Sequence, residues 1–445
     1  MKACHPCPEA GVAEKHTPGQ TAGGGAPRRY GRFYWPLALS GFALLLEQQF
    51  QNGVLAQYPG AEVKLATFAL ASGSYQMVNA MLVFLPQLVA VMARTTADRH
   101  LCARFANGAG LLLTLPLLFM GYTAPGHGLL AWWLNIPSEQ LPEVVRYLQW
   151  LAPLTWFNAW RYYGTGVLVL AERTRTVTLF NVIHLGVLVT VLLTGLRRSW
   201  SALHTMALAT LLANLLHFTL CLLTVRRTRI PDHQSQAEST ATIGGLLAFY
   251  WPMAVTSLFF SMSRPVLYAY VNLTAAAAAT IAALRVGFDF TAMFQNPINQ
   301  FRHVYATYGA ADPRGVARFM FRVTALYLGI MCAVVFTPLS RLFFGRIMGL
   351  DGAVLALTLR ATRVLLLLPL LIMVRNLYHG RMMVRRRTTF MAVAALVRVV
   401  AIALAAAGLQ RAGRLDAASG ALVLILGFLA ETLVVRASVR GARPP

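Results

Sequence analysis

Twelve ionisable side chains fall inside otherwise apolar stretches of this chain: Glu47, Arg161, His184, His217, Arg264, Arg285, Asp289, Arg360, Arg363, Arg375, Arg398 and Glu431. A guanidinium or carboxylate in hydrocarbon costs about 2.5–3.5 kcal/mol, so each must face a wet cavity or a partner. Seven arginines stand against three carboxylates, so pairing every acid still leaves several guanidiniums without a counter-charge. A surplus of guanidinium in a water-filled cavity favours an anion, above all a carboxylate or phosphate that accepts its forked pair of hydrogen bonds. The structural alternative is concrete. Arg285 and Asp289 have the i,i+4 spacing of an intrahelical pair, Arg360 can snorkel to an interface, and Arg398 with Glu431 can clamp the last two helices.

Arg264, Arg302, Arg363, Arg375 and Arg398 are the candidate substrate-binding residues, with Arg302 just past a predicted span end. Glu47, Gln48, Asp289 and Glu431 are the coupling or gating candidates. Glu47 leads a run of amides, Gln48, Gln49, Gln51 and Asn52, which suits a proton or cation site or the partner of a base across a cavity. Ser263-Arg264-Pro265 sets a base beside an expected helix break, where freed carbonyls line substrate sites in broken helices. His184 and His217 read as satisfying neighbouring helices. The sequence contains no Walker A loop, HExxH or GxSxG, so no catalytic residues, metal or cofactor are expected and the chain reads as no enzyme. Cys4 and Cys7 have CxxC spacing but lack further ligands nearby.

The elements that must position these groups are membrane helices. The chain is 57% hydrophobic and 12% charged, against about 25% charged in soluble domains, too few charges for a water-facing surface. Its net charge of +24 comes mostly from arginines that punctuate apolar windows, so the basic residues fit a membrane surface and not nucleic acid. The windows predict about twelve spans in an all-α membrane protein, among them Phe33–Leu55, Val144–Leu170, Ala275–Ile298 and Val354–Tyr378.

An internal repeat divides the spans six and six. Phe33-Tyr-Trp-Pro-Leu-Ala38 recurs as Phe249-Tyr-Trp-Pro-Met-Ala254, an offset of 216, and Arg161 with Gly166 recurs as Arg375 with Gly380, an offset of 214. An even number of spans per half makes the repeats parallel, with a site between them. The expected organisation is a disordered tail over 1–32, lobes over 33–225 and 244–437, a linker over 226–243 and a tail over 438–445. Lys and Arg fall mostly on the face shared with the termini, which places both termini in the cytoplasm.

At these residues the chain resembles the progressive ankylosis protein family, whose members have a MATE-like exporter fold. The resembling stretches are Glu47-Gln48 with Gly53, Phe249–Ala254 with Ser263-Arg264-Pro265, and Gly349-Leu-Asp351 through Arg363, Pro369, Val374-Arg375, Gly380 and Arg398 to Gly427-Phe428 and Glu431. The resemblance implies export of anions such as pyrophosphate, nucleoside triphosphate or citrate. The chain departs from the animal members in lacking a long acidic C-terminal tail. The reading is therefore a secondary transporter exporting anionic metabolites by alternating access through a basic cavity, its partners an anionic small molecule and the bilayer. An H⁺- or Na⁺-coupled cation extruder and a lipid-linked precursor flippase are the alternatives of the same fold. Oligomeric state stays open, with a monomer entertained.

Overall fold

The computed structural model describes residues 26–440 except 41, 94, 172, 229–241, 310 and 385–388. The CxxC pair, the linker from 229 to 241 and Arg385–Arg387 lie outside the described residues. All regular structure among those described is helical. That is what a bilayer demands of an apolar chain, because each helix satisfies its own backbone hydrogen bonds.

The first half runs through α1 (Ala26–Ser40), α2 (Phe42–Leu55), α3 (Ala61–Asn79), a 3₁₀ turn (Ala80–Phe84) and α4 (Leu85–Met92). It continues with α5 (Thr96–Tyr122), α6 (Ala124–Leu134), α7 (Leu141–Leu151), α8 (Leu154–Leu170), α9 (Thr174–Arg197) and α10 (Ala202–Arg227). The second half has α11 (Ile243–Val271), α12 (Ala277–Asn299), α13 (Phe301–Tyr308) and α14 (Pro313–Phe336). After a π-helical segment (Arg341–Ile347) come α15 (Gly352–Leu365), α16 (Leu368–Val384), α17 (Thr389–Arg411) and α18 (Ala417–Arg440).

Among the described residues ten helical segments are long and apolar enough to cross a membrane. Helices α1 with α2, and α7 with α8, complete the twelve, six in each half. Their outer faces are apolar, as on α17, where exposed Val393, Leu396, Val400 and Leu404 repeat at helical spacing. The chain is an integral membrane protein.

Several spans expected to be continuous are not. Val144–Leu170 divides at Ala152-Pro153, and Val354–Tyr378 divides between Leu365 and Leu368. Pro153 and Pro369 each lack the N–H that would extend the preceding helix. The reverse correction applies to Ser263-Arg264-Pro265, where a break was expected. There α11 runs unbroken through both Pro252 and Pro265. The Pro265 ring lies against Gly73 of α3; a Cβ on Gly73 would stand 3.3 Å from Pro265 Cγ. Gly427 has a like role on α18, since a Cβ there would meet Ile402 and Arg398 of α17. Small residues at such contacts let membrane helices approach closely.

The halves exchange contacts reciprocally. Helix α1 packs against α12, α13 and α14, while α11 packs against α3, the 3₁₀ turn, α4, α5 and α6. The exchange is pinned by hydrogen bonds from Tyr30 to Asp312 (2.9 Å) and between the Tyr34 and Tyr327 hydroxyls (3.1 Å). Asp312 also caps α14, accepting from the Gly315 N–H at 2.8 Å. That backbone donor, and then the Tyr30 hydroxyl, hold the Asp312 carboxyl below the usual carboxylate range. A depressed carboxyl pKa lends stability that is present above the unfolded value, about 3.9, and is lost as pH falls through the folded value. Asp312→Asn is therefore expected to melt below the parent protein at neutral pH. The gap should close as the solution is acidified below pH ~4. Parallel melting curves across that range check it, and a gap that widens in acid would refute the capping role.

Candidate functional site

Helices α2, α3 and α7 to α10 of the first half and α11, α12 and α18 of the second line a cavity of about 330 Å³. Helix α2 contributes Glu47, Gln48 and Gln51, and α3 contributes Ser72, Tyr75, Gln76 and Asn79. Arg161 and Tyr162 come from α8, His184 from α9, Arg264 and Tyr268 from α11, and Arg285 and Asp289 from α12. The wall is thus polar side chain set on rigid helix, with the amides and hydroxyls able to bond either charge.

The charges are not equally committed. Asp289 accepts from Arg264 Nη1 at 2.7 Å and from Asn52 Nδ2 at 2.9 Å, with Arg285 Nε at 3.9 Å. Arg285 donates instead to Asn52 Oδ1 (2.7 Å) and Ser72 Oγ (2.9 Å), over the Phe68 ring. Glu47 lies 3.3 Å from His184 Nε2 and accepts from Gln51 at 3.3 Å. Arg161 differs. Its guanidinium lies over the Tyr162 ring, its Nε is buried without a hydrogen-bond partner, and it makes no ion pair among the described residues. Three guanidiniums therefore share the wall with two carboxylates, and both carboxylates are already held by other groups.

A second polar cluster sits in the second half. Glu431 Oε2 accepts from Arg398 Nη1 at 2.6 Å and Arg375 Nη1 at 3.3 Å, and His379 approaches Oε1 at 4.0 Å. Arg375 also donates to Asn299 (2.7 Å), and Arg398 to Ser263 (3.1 Å). The cluster is dry, with Arg398 at 0% exposure and Glu431 at 2%. Both guanidiniums lie over the rings of Phe260 and Phe428, which also line the cavity. The two phenylalanines, with Ser263, which lines the cavity and accepts from Arg398, stand between cavity and cluster.

The structure distributes the sequence-derived candidates over these places. Arg264, Glu47, Gln48 and Asp289 line the cavity. Arg375, Arg398 and Glu431 form the walled-off cluster. Arg302 is half-buried with its Nε unpartnered, and does not line the cavity. Arg363 is exposed, 5.9 Å from the Phe336 ring, and also lies off the cavity wall. Arg161 and Arg285 line the cavity although sequence reasoning set neither among the substrate candidates. The repeat held the missing signal, because Arg161 is the counterpart of Arg375. Among the described residues no cluster of three His, Cys, Asp or Glu could hold a metal.

The profile of the progressive ankylosis protein (ANKH) family matches residues 26–324. The match ends before Gly349, so the C-terminal stretch that carries much of the resemblance lies outside it. Three solved structures share the fold. An inward-facing multidrug resistance MATE family transporter of the MOP superfamily gives a TM-score of 0.65 at 16% identity, covering 91% of this chain and 96% of that one. A MOP superfamily transporter from Pyrococcus furiosus, described as having a binding pocket of reverse polarity that suggests a different function, gives 0.66 at 14%, covering 94% and 95%. The lipid II flippase MurJ, in an inward closed conformation, gives 0.68 at 12%, covering 91% and 87%. At these identities the likeness is one of fold.

Proposed function

The chain belongs to the progressive ankylosis protein family, and from that membership we propose that it exports anionic metabolites of the citrate, nucleotide or pyrophosphate class through this cavity. That it is a membrane transporter of the MATE-like fold follows from the family; the anionic cargo is the further step. The observation that carries it is Arg161, a guanidinium on the cavity wall with no carboxylate partner among the described residues. A desolvated guanidinium without a counter-charge is costly, and a bound carboxylate or phosphate removes that cost with charge-assisted hydrogen bonds. Arg264, at the cavity surface with its side chain 29% exposed, offers a second charged contact for a polyanion.

The basic wall argues against a cation extruder, which needs free carboxylates where this cavity has two engaged ones. Both termini facing the cytoplasm, with two lobes rocking about the cavity, complete the proposed transport cycle.

Release of citrate, ATP and pyrophosphate from loaded liposomes tests this reading. Release by the parent protein is expected, and Arg161→Gln should cut it by about tenfold, the equivalent of one charge-assisted contact, with folded yield unchanged. Absence of release for all three from well-folded protein would overturn the anion reading in favour of a lipid-linked or cationic cargo.

A further inference from the structure

The two halves carry polar side chains at matching positions, of which only the arginine is common to both. The repeat offsets, 216 on the opening helix of each half and 214 on the later ones, place Glu47 on Ser263, Arg161 on Arg375, His184 on Arg398 and His217 on Glu431. The helices pair alike: α2 with α9, α8 with α10 and α9 with α10 correspond to α11 with α17, α16 with α18 and α17 with α18. The contacts pair alike too. His184 meets Glu47 at 3.3 Å as Arg398 meets Ser263 at 3.1 Å. The rings of His184 and His217 stand 5.7 Å apart where Arg398 binds Glu431, and Arg161 holds the position from which Arg375 binds Glu431.

What differs is the centre. In the second half the Glu431 carboxylate sits between two guanidiniums. At that position the first half has the imidazole of His217, with both ring nitrogens buried and unpartnered. Arg161 Nε and His184 Nδ1 are buried and unpartnered beside it. The first half has the arginine of that cradle and no acid at its centre; its own acid, Glu47, is held by His184 and Gln51. It is also the half whose cradle reaches the cavity, since Arg161 and His184 line it, with His217 off the wall, while Arg375 and Arg398 do not line it and lie over the rings of Phe260 and Phe428.

We propose that a carboxylate or phosphate group of the transported anion binds at Arg161, on the cavity side of the first-half cradle, and supplies the counter-charge that Glu431 supplies to Arg375 in the second half. Arg161 supplies the charge and His217 an N–H donor, which a neutral imidazole has in either tautomer. Glu47 stays turned to His184 and Gln51 and orients that imidazole. The inference rests on the anion reading above and goes beyond it by naming the subsite and its internal template.

His217→Glu tests it by building the template's acid into the first half. The variant is expected to fold, to pair with Arg161, and to lose the thermal stabilisation that citrate and pyrophosphate give the parent protein, with half-saturation raised by at least about tenfold. Gln76→Glu adds the same charge to the cavity wall outside the cradle, and its effect should be several-fold smaller. An unchanged response in His217→Glu, or an equal loss in Gln76→Glu, overturns the subsite and leaves the anion reading standing. No response to any anion in the parent protein overturns both. If His217→Glu does not fold, His217→Leu decides, because it removes the donor without adding charge. Several-fold weaker binding is then expected, and unchanged binding refutes the subsite.

Discussion

Glu431→Gln is expected to remove most of the folded, monodisperse protein from detergent extracts. Glu431 is 2% exposed and is the carboxylate that Arg375 and Arg398 share. The glutamine keeps the shape and loses the charge, leaving two guanidiniums in a dry cluster with a neutral acceptor. Breaking a buried ion pair from one side costs about 3–5 kcal/mol, a large part of the roughly 5–15 kcal/mol that holds a typical domain together. Replacing both sides of the closest contact, as in Arg398→Met with Glu431→Leu, should recover much of the yield, since an apolar pair of like volume carries no stranded charge. The measurement is the size-exclusion profile and melting temperature of the single and double variants. A single variant that behaves like the parent would sink the clamp and return Arg375 and Arg398 to the substrate-contacting set.

Asp289→Asn carries the second large effect, and in the opposite direction for binding. Asp289 is also buried, but its neighbours have other partners or water. Arg285 keeps Asn52, Ser72 and the Phe68 ring, and Arg264 reaches the cavity. The fold should therefore survive with a modest loss of melting temperature. The wall then holds three guanidiniums against one carboxylate, so anions compete with nothing internal for Arg264. Citrate and pyrophosphate should bind about tenfold more tightly, a gain of about 1.4 kcal/mol. Turnover should slow, because tighter ground-state binding delays release. Titrating melting temperature against each anion measures the first part, and liposome release measures the second. Unchanged or weaker binding would show that Asp289 does not hold Arg264 back from the cargo.

These two acids show how far residue type carries the argument. Both stand in apolar spans, both are nearly buried, and both pair with two arginines, so sequence alone treats them alike. Only the Phe260–Phe428 partition makes one a clamp in a dry cluster and the other a regulator of a wet cavity. Arg161 and Arg363 differ in the same way, since α8 points the first at the cavity and α15 leaves the second exposed on its outer side.

Membrane residence, twelve spans, the six-and-six repeat and the surplus of arginine over acid are properties of the chain read locally. Transfer free energy is set residue by residue, and a duplication preserves spacing, so each of these survives without any knowledge of which helices touch. Pairing does not. Whether α11 breaks at Pro265, whether Arg398 meets Glu431, and whether Arg161 is left without an acid all depend on helices that lie far apart in sequence. The closeness that Gly73 and Gly427 permit helps decide them. A hydrogen-bonded ion pair forms only when its groups lie within a few ångströms, so the tertiary structure alone assigns each charge its partner.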